Sequence, residues 1–216
     1  MARKTFLQLQ QECANYVGGD STDTELLGVC GSGINAGIDQ FNVYDWNAQT
    51  TTSGITLVAE QRDYTLPSDI QTVKEITLLN SSSEHIGRIR YRLPDVFERI
   101  HNPRLSTVVA GEPTEYTVYG EGSAAPTLRM STKPSSNYVS TNPTAELRYN
   151  QEIPQLSGVD TMSVNRRIEQ SVLWFAKSYV AAIYDPEKMQ FAEARFQDLF
   201  DKELMQNNRG RILGNI

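Results

Sequence analysis

Helical periodicity at both ends of the chain, separated by about a hundred residues of strand and turn chemistry, restricts the fold more than any other feature. Thr5 and Gln8 stand in capping-box spacing ahead of Phe6, Leu9, Cys13 and Val17, which share one face of a helix that Gly18-Gly19 ends. After the polar stretch Asp20 to Glu25, a second helical pattern runs through Ile34, Ile38, Phe41 and Tyr44 to a breaker at Thr50-Thr51-Thr52-Ser53-Gly54. Near the other end Val164, Ile168, Val172, Phe175, Tyr179 and Ile183 repeat at helical spacing up to Asp185-Pro186, where Asp caps and Pro fits the first turn of a new helix. That last helix turns Met189, Ala192, Phe196 and Leu199 inward. Each apolar stripe is too narrow to hold a lone helix in water, so the four must pack together, which brings residues 1–50 beside 160–206.

The expected architecture is therefore α+β. A helical bundle is built from 1–53 and 155–206, a mostly antiparallel β-sandwich or barrel is inserted over 54–154, and 207–216 form a flexible docking tail. Within the insertion, strands are expected at Gly54 to Ala59, Gln71 to Leu79, Arg88 to Arg92, Glu115 to Tyr119, Thr127 to Ser131 and Ala145 to Asn150. Pro94 to His101 interrupts them with a short helical pattern, Val96, Phe97 and Ile100, expected to cover one open end of the sheet module. A chain of 216 residues buries a sizeable core without metals or disulfides.

Composition narrows the function classes. No apolar run approaches the length of a bilayer span, and Met1-Ala2-Arg3-Lys4 lacks the apolar core of a secretion signal, so an intracellular product is expected. Cys13 and Cys30 fall outside C-x-x-C spacing, and His85 and His101 have no partner at metal-ligand spacing; no metal and no cofactor is expected. The net charge of −6 argues against a general nucleic-acid binder, since phosphate contacts require cations. It is compatible with a duplex passing an acidic wall without sticking.

Two surface features bear on assembly. Arg88, Arg90 and Arg92 alternate with Ile89, Tyr91 and Leu93, which sends three guanidinium groups to one face of a strand. A solvated face competes with contacts to phosphates or to acidic groups of a neighbouring subunit. The helix from Val172 to Tyr184 is apolar nearly all the way round through Leu173, Trp174 and Phe175, so either it is central in its own bundle or it also meets a neighbour.

The order of landmarks carries a resemblance. Ile55 to Pro67, with Tyr64-Thr65-Leu66-Pro67 after a helix ended by Tyr44 and Trp46, resembles the start of the β part in the head-to-tail adaptor proteins of short-tailed phages (podovirus portal adaptors, tail tubular protein A-like). Gly111-Glu112-Pro113 with Tyr116, Leu128-Arg129-Met130 with Lys133-Pro134, and Leu147-Arg148-Tyr149 before Ile153-Pro154 follow in the family's order. Trp174, Phe175, Ala176, Tyr179 and Ala182, then Asp185-Pro186 and a helix over Phe191 to Leu204, are similar to its C-terminal pair. The charged run Glu60-Gln61-Arg62-Asp63 replaces the glycine usual before the strand's Tyr.

The resemblance implies a virion component of the neck or tail, assembled in the host cytoplasm. It implies a ring of copies, expected to be a dodecamer, that binds under the portal protein ring, continues the channel for double-stranded DNA without binding it specifically, and serves as platform for the tail nozzle protein; no membrane is involved. On that footing the segment 207–216 is expected to dock on the portal, with Ile212, Leu213 and Ile216 as apolar anchors and Arg209 and Arg211 pairing with carboxylates. Trp174, Leu173, Arg88, Arg90 and Arg92 are expected at contacts between subunits.

No catalytic residue is expected. Gly28-Val29-Cys30-Gly31-Ser32-Gly33 superficially resembles a nucleophile turn or phosphate loop, but no apolar strand precedes it and no Lys-Ser/Thr ends it, so it reads as a flexible helix entry. Two alternatives stay open: a virion-associated peptidoglycan hydrolase, which needs two carboxylates at glycosidase spacing in one pocket, and a host-surface binding module, which needs Tyr116, Tyr119 and Tyr138 exposed in one patch.

Overall fold

The structure is a computed structural model that describes residues 3–44, 46, 49–101, 108–121, 123 and 125–213, with the backbone alone over 208–213. The chain divides into two compact units, one of residues 1–49 with 153–216 and one of 50–152.

In the helical unit, α1 (Phe6–Tyr16) opens with the full capping box: Thr5 accepts from the Gln8 N–H and the Gln8 side chain accepts from Thr5 N–H. Gly18, at φ +76°, takes the left-handed turn after it. The second helix, α2 (Thr24–Asn42), is capped by Asp23. The helix α5 (Arg166–Tyr184) is capped by Asn165 and ends at Asp185, and Pro186 opens α6 (Pro186–Leu213). Phe6, Leu9 and Cys13 of α1, Ile34, Ile38 and Phe41 of α2, Ile168 and Val172 of α5 and Phe200 of α6 belong to one buried cluster. The two ends of the chain thus share one interior. An antiparallel bridge between Thr5 and Thr161 and a 2.7 Å bond from Phe6 N–H to the Asp160 carbonyl join them directly.

Two expectations about these helices are corrected. Gly28 to Gly33 are not an entry loop but lie inside α2. A Cβ on Gly33 would stand 3.0 Å from the Tyr179 ring, and one on Gly37 would stand 3.2 Å from the Val172 carbonyl, so glycine lets α2 lie close against α5. The last helix does not stop at Leu204 but continues to Leu213. Its weakest helix former there, Gly210, costs about 1 kcal/mol, and no proline interrupts the turn-by-turn hydrogen bonding.

The other unit is a seven-stranded curled mixed sheet, a half-barrel. Its strands are β1 (Thr50–Thr56), β2 (Asp63–Thr65), β3 (Ile70–Leu79), β4 (His85–Tyr91), β6 (Glu115–Tyr119), β7 (Thr127–Met130) and β9 (Thr144–Gln151), in the order β1-β9-β3-β4-β6-β7-β2. All neighbours are antiparallel except β4 and β6. Short strands β5 (Ala110–Gly111) and β8 (Lys133–Pro134) pair separately, and helices α3 (Pro94–His101) and α4 (Ser136–Thr141) complete the unit. Ile70, Ile76, Leu128, Met130 and Leu147 fill its own core. The threonine run read as a breaker is β1 itself, since β-branched residues suit an extended strand bonded along one side.

Candidate interaction surfaces

In the helical unit α5 runs antiparallel to α2 and α6. Gly37 approaches Val172 while Gly33 approaches Tyr179, and Trp174 packs edge-on against Phe191 at 5.8 Å while Arg167 lies 3.7 Å from Glu203. The stretch of α6 around Glu203 therefore lies beside the start of α5. There Arg167, Leu199, Lys202, Met205 and Gln206 line a groove of about 350 Å³, with Met205 63% exposed. The Glu203 carboxylate is almost fully buried, with Arg167 as its ionic partner.

Arg209, Arg211, Ile212 and Leu213 continue α6 as helix, and Ile216 lies outside the described residues. Leu173 is 1% exposed and fills its own bundle, which leaves it nothing to offer another chain while the helices are packed. Trp174 is half-buried between Tyr16 and Phe191. Against its face, 4.5 Å from the ring centre, sits the ammonium of Lys177, itself 7% exposed. Lys177 Nζ donates to Glu12 Oε1 at 2.9 Å, and Lys4 pairs with the other oxygen of the same carboxylate. Burial alone would raise the Glu12 pKa, but the two ammonium groups outweigh it and hold the carboxyl below its ordinary range.

The returning chain is fixed to α2 by two asparagines. Asn42 Nδ2 donates to the Ile153 carbonyl and Ile153 N–H donates back to Asn42 Oδ1, both at 2.9 Å. Asn35 repeats the arrangement with Leu156. Each side-chain amide thereby replaces a strand partner for backbone that has none. No local pattern in the sequence marks these residues.

On β4, Arg88 pairs with Glu75 of β3, and just past its end Arg92 forks onto Glu115 of β6 through Nε at 2.8 Å. His101, ending α3, reaches the other Glu115 oxygen at 2.8 Å. Hydrogen bonds from Arg92 and then His101 lower the Glu115 pKa. Arg90 is exposed and makes no ion pair among the described residues. The three arginines therefore do not form one open cationic face: two are engaged within their own unit. Of the alternating apolar residues, Ile89 is buried, while Tyr91 and Leu93 are 44% and 63% exposed.

Neither alternative function gains an observation. Tyr116 is 2% exposed, so the aromatic patch needed for a host-surface module does not form around it. The groove at Arg167 and a pocket between Ser53 and Pro67 hold no carboxylate, and a pocket at the start of α5 holds one, Glu169. Burial raises both thiols, Cys30 to about 11 and Cys13 further, which suits core residues rather than nucleophiles. Among the described residues no three His, Cys, Asp or Glu side chains gather as metal ligands, and no helix is long and apolar enough to cross a membrane.

Against protein families, the SU10 adaptor protein family matches residues 4–213, which takes in both units and all six described helices. The chain is an SU10-family adaptor. Among curated proteins none matches it. An SU10 adaptor is a phage protein of the virion that works with other head and tail proteins, and membership implies a structural rather than an enzymatic role.

Proposed function

We propose that this adaptor is the head-to-tail connector of a short-tailed phage: copies form a ring under the portal, continue the DNA channel and give the tail nozzle its platform. The observation that carries the reading is the family match across nearly the whole chain. Supporting it, the long α6 gives the segment 207–213 a helical backbone, a preformed element in place of a loose strap. A helix end loses less freedom on docking than a disordered tail, so attachment is less costly in entropy. Arg209, Arg211, Ile212, Leu213 and Ile216 are assigned to the portal contact, and Trp174 and Arg90 to contacts between copies, with Arg88 and Arg92 acting there through the carboxylates they already hold.

Electron microscopy of the purified protein mixed with portal rings tests this reading. Full-length protein should add a ring of density to the portal, and a chain lacking 207–216 should fold but decorate portals weakly or not at all. Unchanged decoration by the truncated chain removes the tail contact; no decoration by either removes the connector reading.

A further inference from the structure

The half-barrel is open between its two edge strands. In the order β1-β9-β3-β4-β6-β7-β2, β1 pairs only with β9 and β2 only with β7. The two follow each other along the chain, yet Ser53 to Thr56 and Tyr64 to Pro67 line a shared groove of about 410 Å³ instead of bonding to one another. Hydrogen bonds from the Leu57 N–H to the Pro143 carbonyl at 2.8 Å and from the Glu60 N–H to the Pro134 carbonyl at 3.0 Å tie the connection to the chain on either side of α4, so it does not close into a hairpin.

The phase of each ladder fixes what the two edges offer. The bond from Leu57 to Pro143 continues the pairs Ile55–Ala145 and Ser53–Leu147, which turns the N–H and C=O of Thr52, Gly54 and Thr56 away from β9. On β2, Leu66 N–H donates to the Pro126 carbonyl and the Arg62 carbonyl accepts from Met130 N–H, so Asp63 and Thr65 turn theirs away from β7. The Asp63 carbonyl already takes a side-chain donor, the Gln61 amide at 2.8 Å. Exposed edges are ordinarily blunted by charge, proline, a bulge or shortness. Strand β2 is short, but β1 has seven residues, no charge, no proline and an unbroken register with β9. Gly54 lies within it, where an added Cβ would meet nothing closer than Thr144 Cγ2 at 4.0 Å. Packing within this chain therefore does not call for a glycine there, whereas close approach of another backbone or side chain does.

We propose that the groove between β1 and β2 receives an extended segment of another protein, antiparallel to β1, as one added strand that closes the barrel. The segment carries Lys or Arg opposite Gly54 and apolar residues on either side of it. Its alternate side chains would enter between Ile55 and the Tyr64–Leu66 side, all buried residues of the sheet core. The basic preference comes from Glu146, which stands directly behind Gly54 on the outer face, half-exposed and with only His85, at 3.9 Å, as an ionic partner. Glycine leaves no side chain between, so a long cation on the added strand reaches across to that carboxylate. Arg148 stands behind Thr52 on the same face, so the next outward residue of the segment is uncharged. A second copy of this chain does not fit: every described strand is already bonded along at least one edge, and the gap needs a strand free on both.

The test is a titration of isotope-labelled full-length protein with the acetylated, amidated pentapeptide threonine-valine-lysine-valine-threonine, followed through backbone amide shifts. Two control peptides carry glutamate in place of lysine, or a methyl group on the lysine backbone nitrogen. Saturable shifts are expected at the amides of 52–56 and 63–65. The glutamate peptide should bind about fivefold more weakly, as for an exposed ion pair lost, and the methylated one about fivefold more weakly for one backbone hydrogen bond. Gly54→Pro removes an outward N–H and leaves the bonds to β9 in place, so it should weaken the lysine peptide by a similar factor. Glu146→Gln, at a half-exposed position, should erase the preference for lysine over glutamate. Absence of saturable shifts, equal binding of the methylated peptide, or equal binding of the glutamate peptide to the unaltered protein would each overturn the proposal. So would the same shifts appearing on concentrating the protein alone, which would assign the edge to another copy. Portal attachment plays no part in this readout, so it stands or fails separately from the connector function.

Discussion

Lys177 shows how one residue ties two helices without opening the core to water. Its four-carbon stem lies along buried surface while its ammonium reaches the rings of Trp174 and Tyr16 and the Glu12 carboxylate. Nothing in the local sequence announces the ion pair, because Glu12 lies on another helix far along the chain. The pairing makes stability depend on acid. Glu12 has a folded pKa below its ordinary 4.5, so its contribution is complete above the unfolded value and disappears as pH falls through the lower folded one. Urea unfolding at a series of pH values should therefore show a Glu12→Gln chain about 1 kcal/mol less stable than its parent at neutral pH, a modest figure because the carboxylate is partly solvated. The gap should close below that window; a gap independent of pH would mean that packing, not charge, carries the difference.

At the scale of elements, the helix starts were the most legible part. Thr5 with Gln8, Asp185 with Pro186, and Pro94 before an apolar triad punctuate the chain through local chemistry, and local chemistry is what a sequence displays. The glycines of α2 were misleading for the opposite reason. Their purpose is a close crossing with α5, a tertiary demand that looks like flexibility when read along the chain. Gly37→Leu should accordingly destabilise the protein by about 2 kcal/mol despite leucine's better helix propensity, since the obstructing Val172 carbonyl belongs to a helix backbone and cannot step aside. Thermal melts followed by circular dichroism would show it as a lowered midpoint; a raised midpoint would mean the two helices can part at little cost. Strand edges and sheet closure were less legible, because β-pairing is decided across the sheet: β2 and the short pair β5 and β8 have too few residues to show a period. Of the surface residues singled out by pattern, Arg90 is open, while Leu173 is interior and Arg88 and Arg92 are already paired, and a one-dimensional pattern cannot tell these apart.

For the molecule as a whole, the two units own separate interiors, one joining residues from both ends of the chain and one made within 50–152. Replacing 50–152 by a short glycine-serine linker should leave a helical protein that still unfolds cooperatively, because Asn35 and Asn42 hold the returning segment in place from within the helical unit. Scanning calorimetry of that shortened chain gives the check: a broad, non-cooperative transition would mean that the helical interior needs the sheet.

The nesting of one unit inside the other also sets a timetable on the ribosome. Residues 50–152 emerge complete and can fold while α1 and α2 still wait, their apolar faces uncovered, for α5 and α6. A prematurely released product that stops before α5 carries a finished sheet and an unfinished bundle. Translation through α6 thus becomes a quality check, and only polypeptides that pass it own the finished helical surface an adaptor can offer to other proteins of the particle.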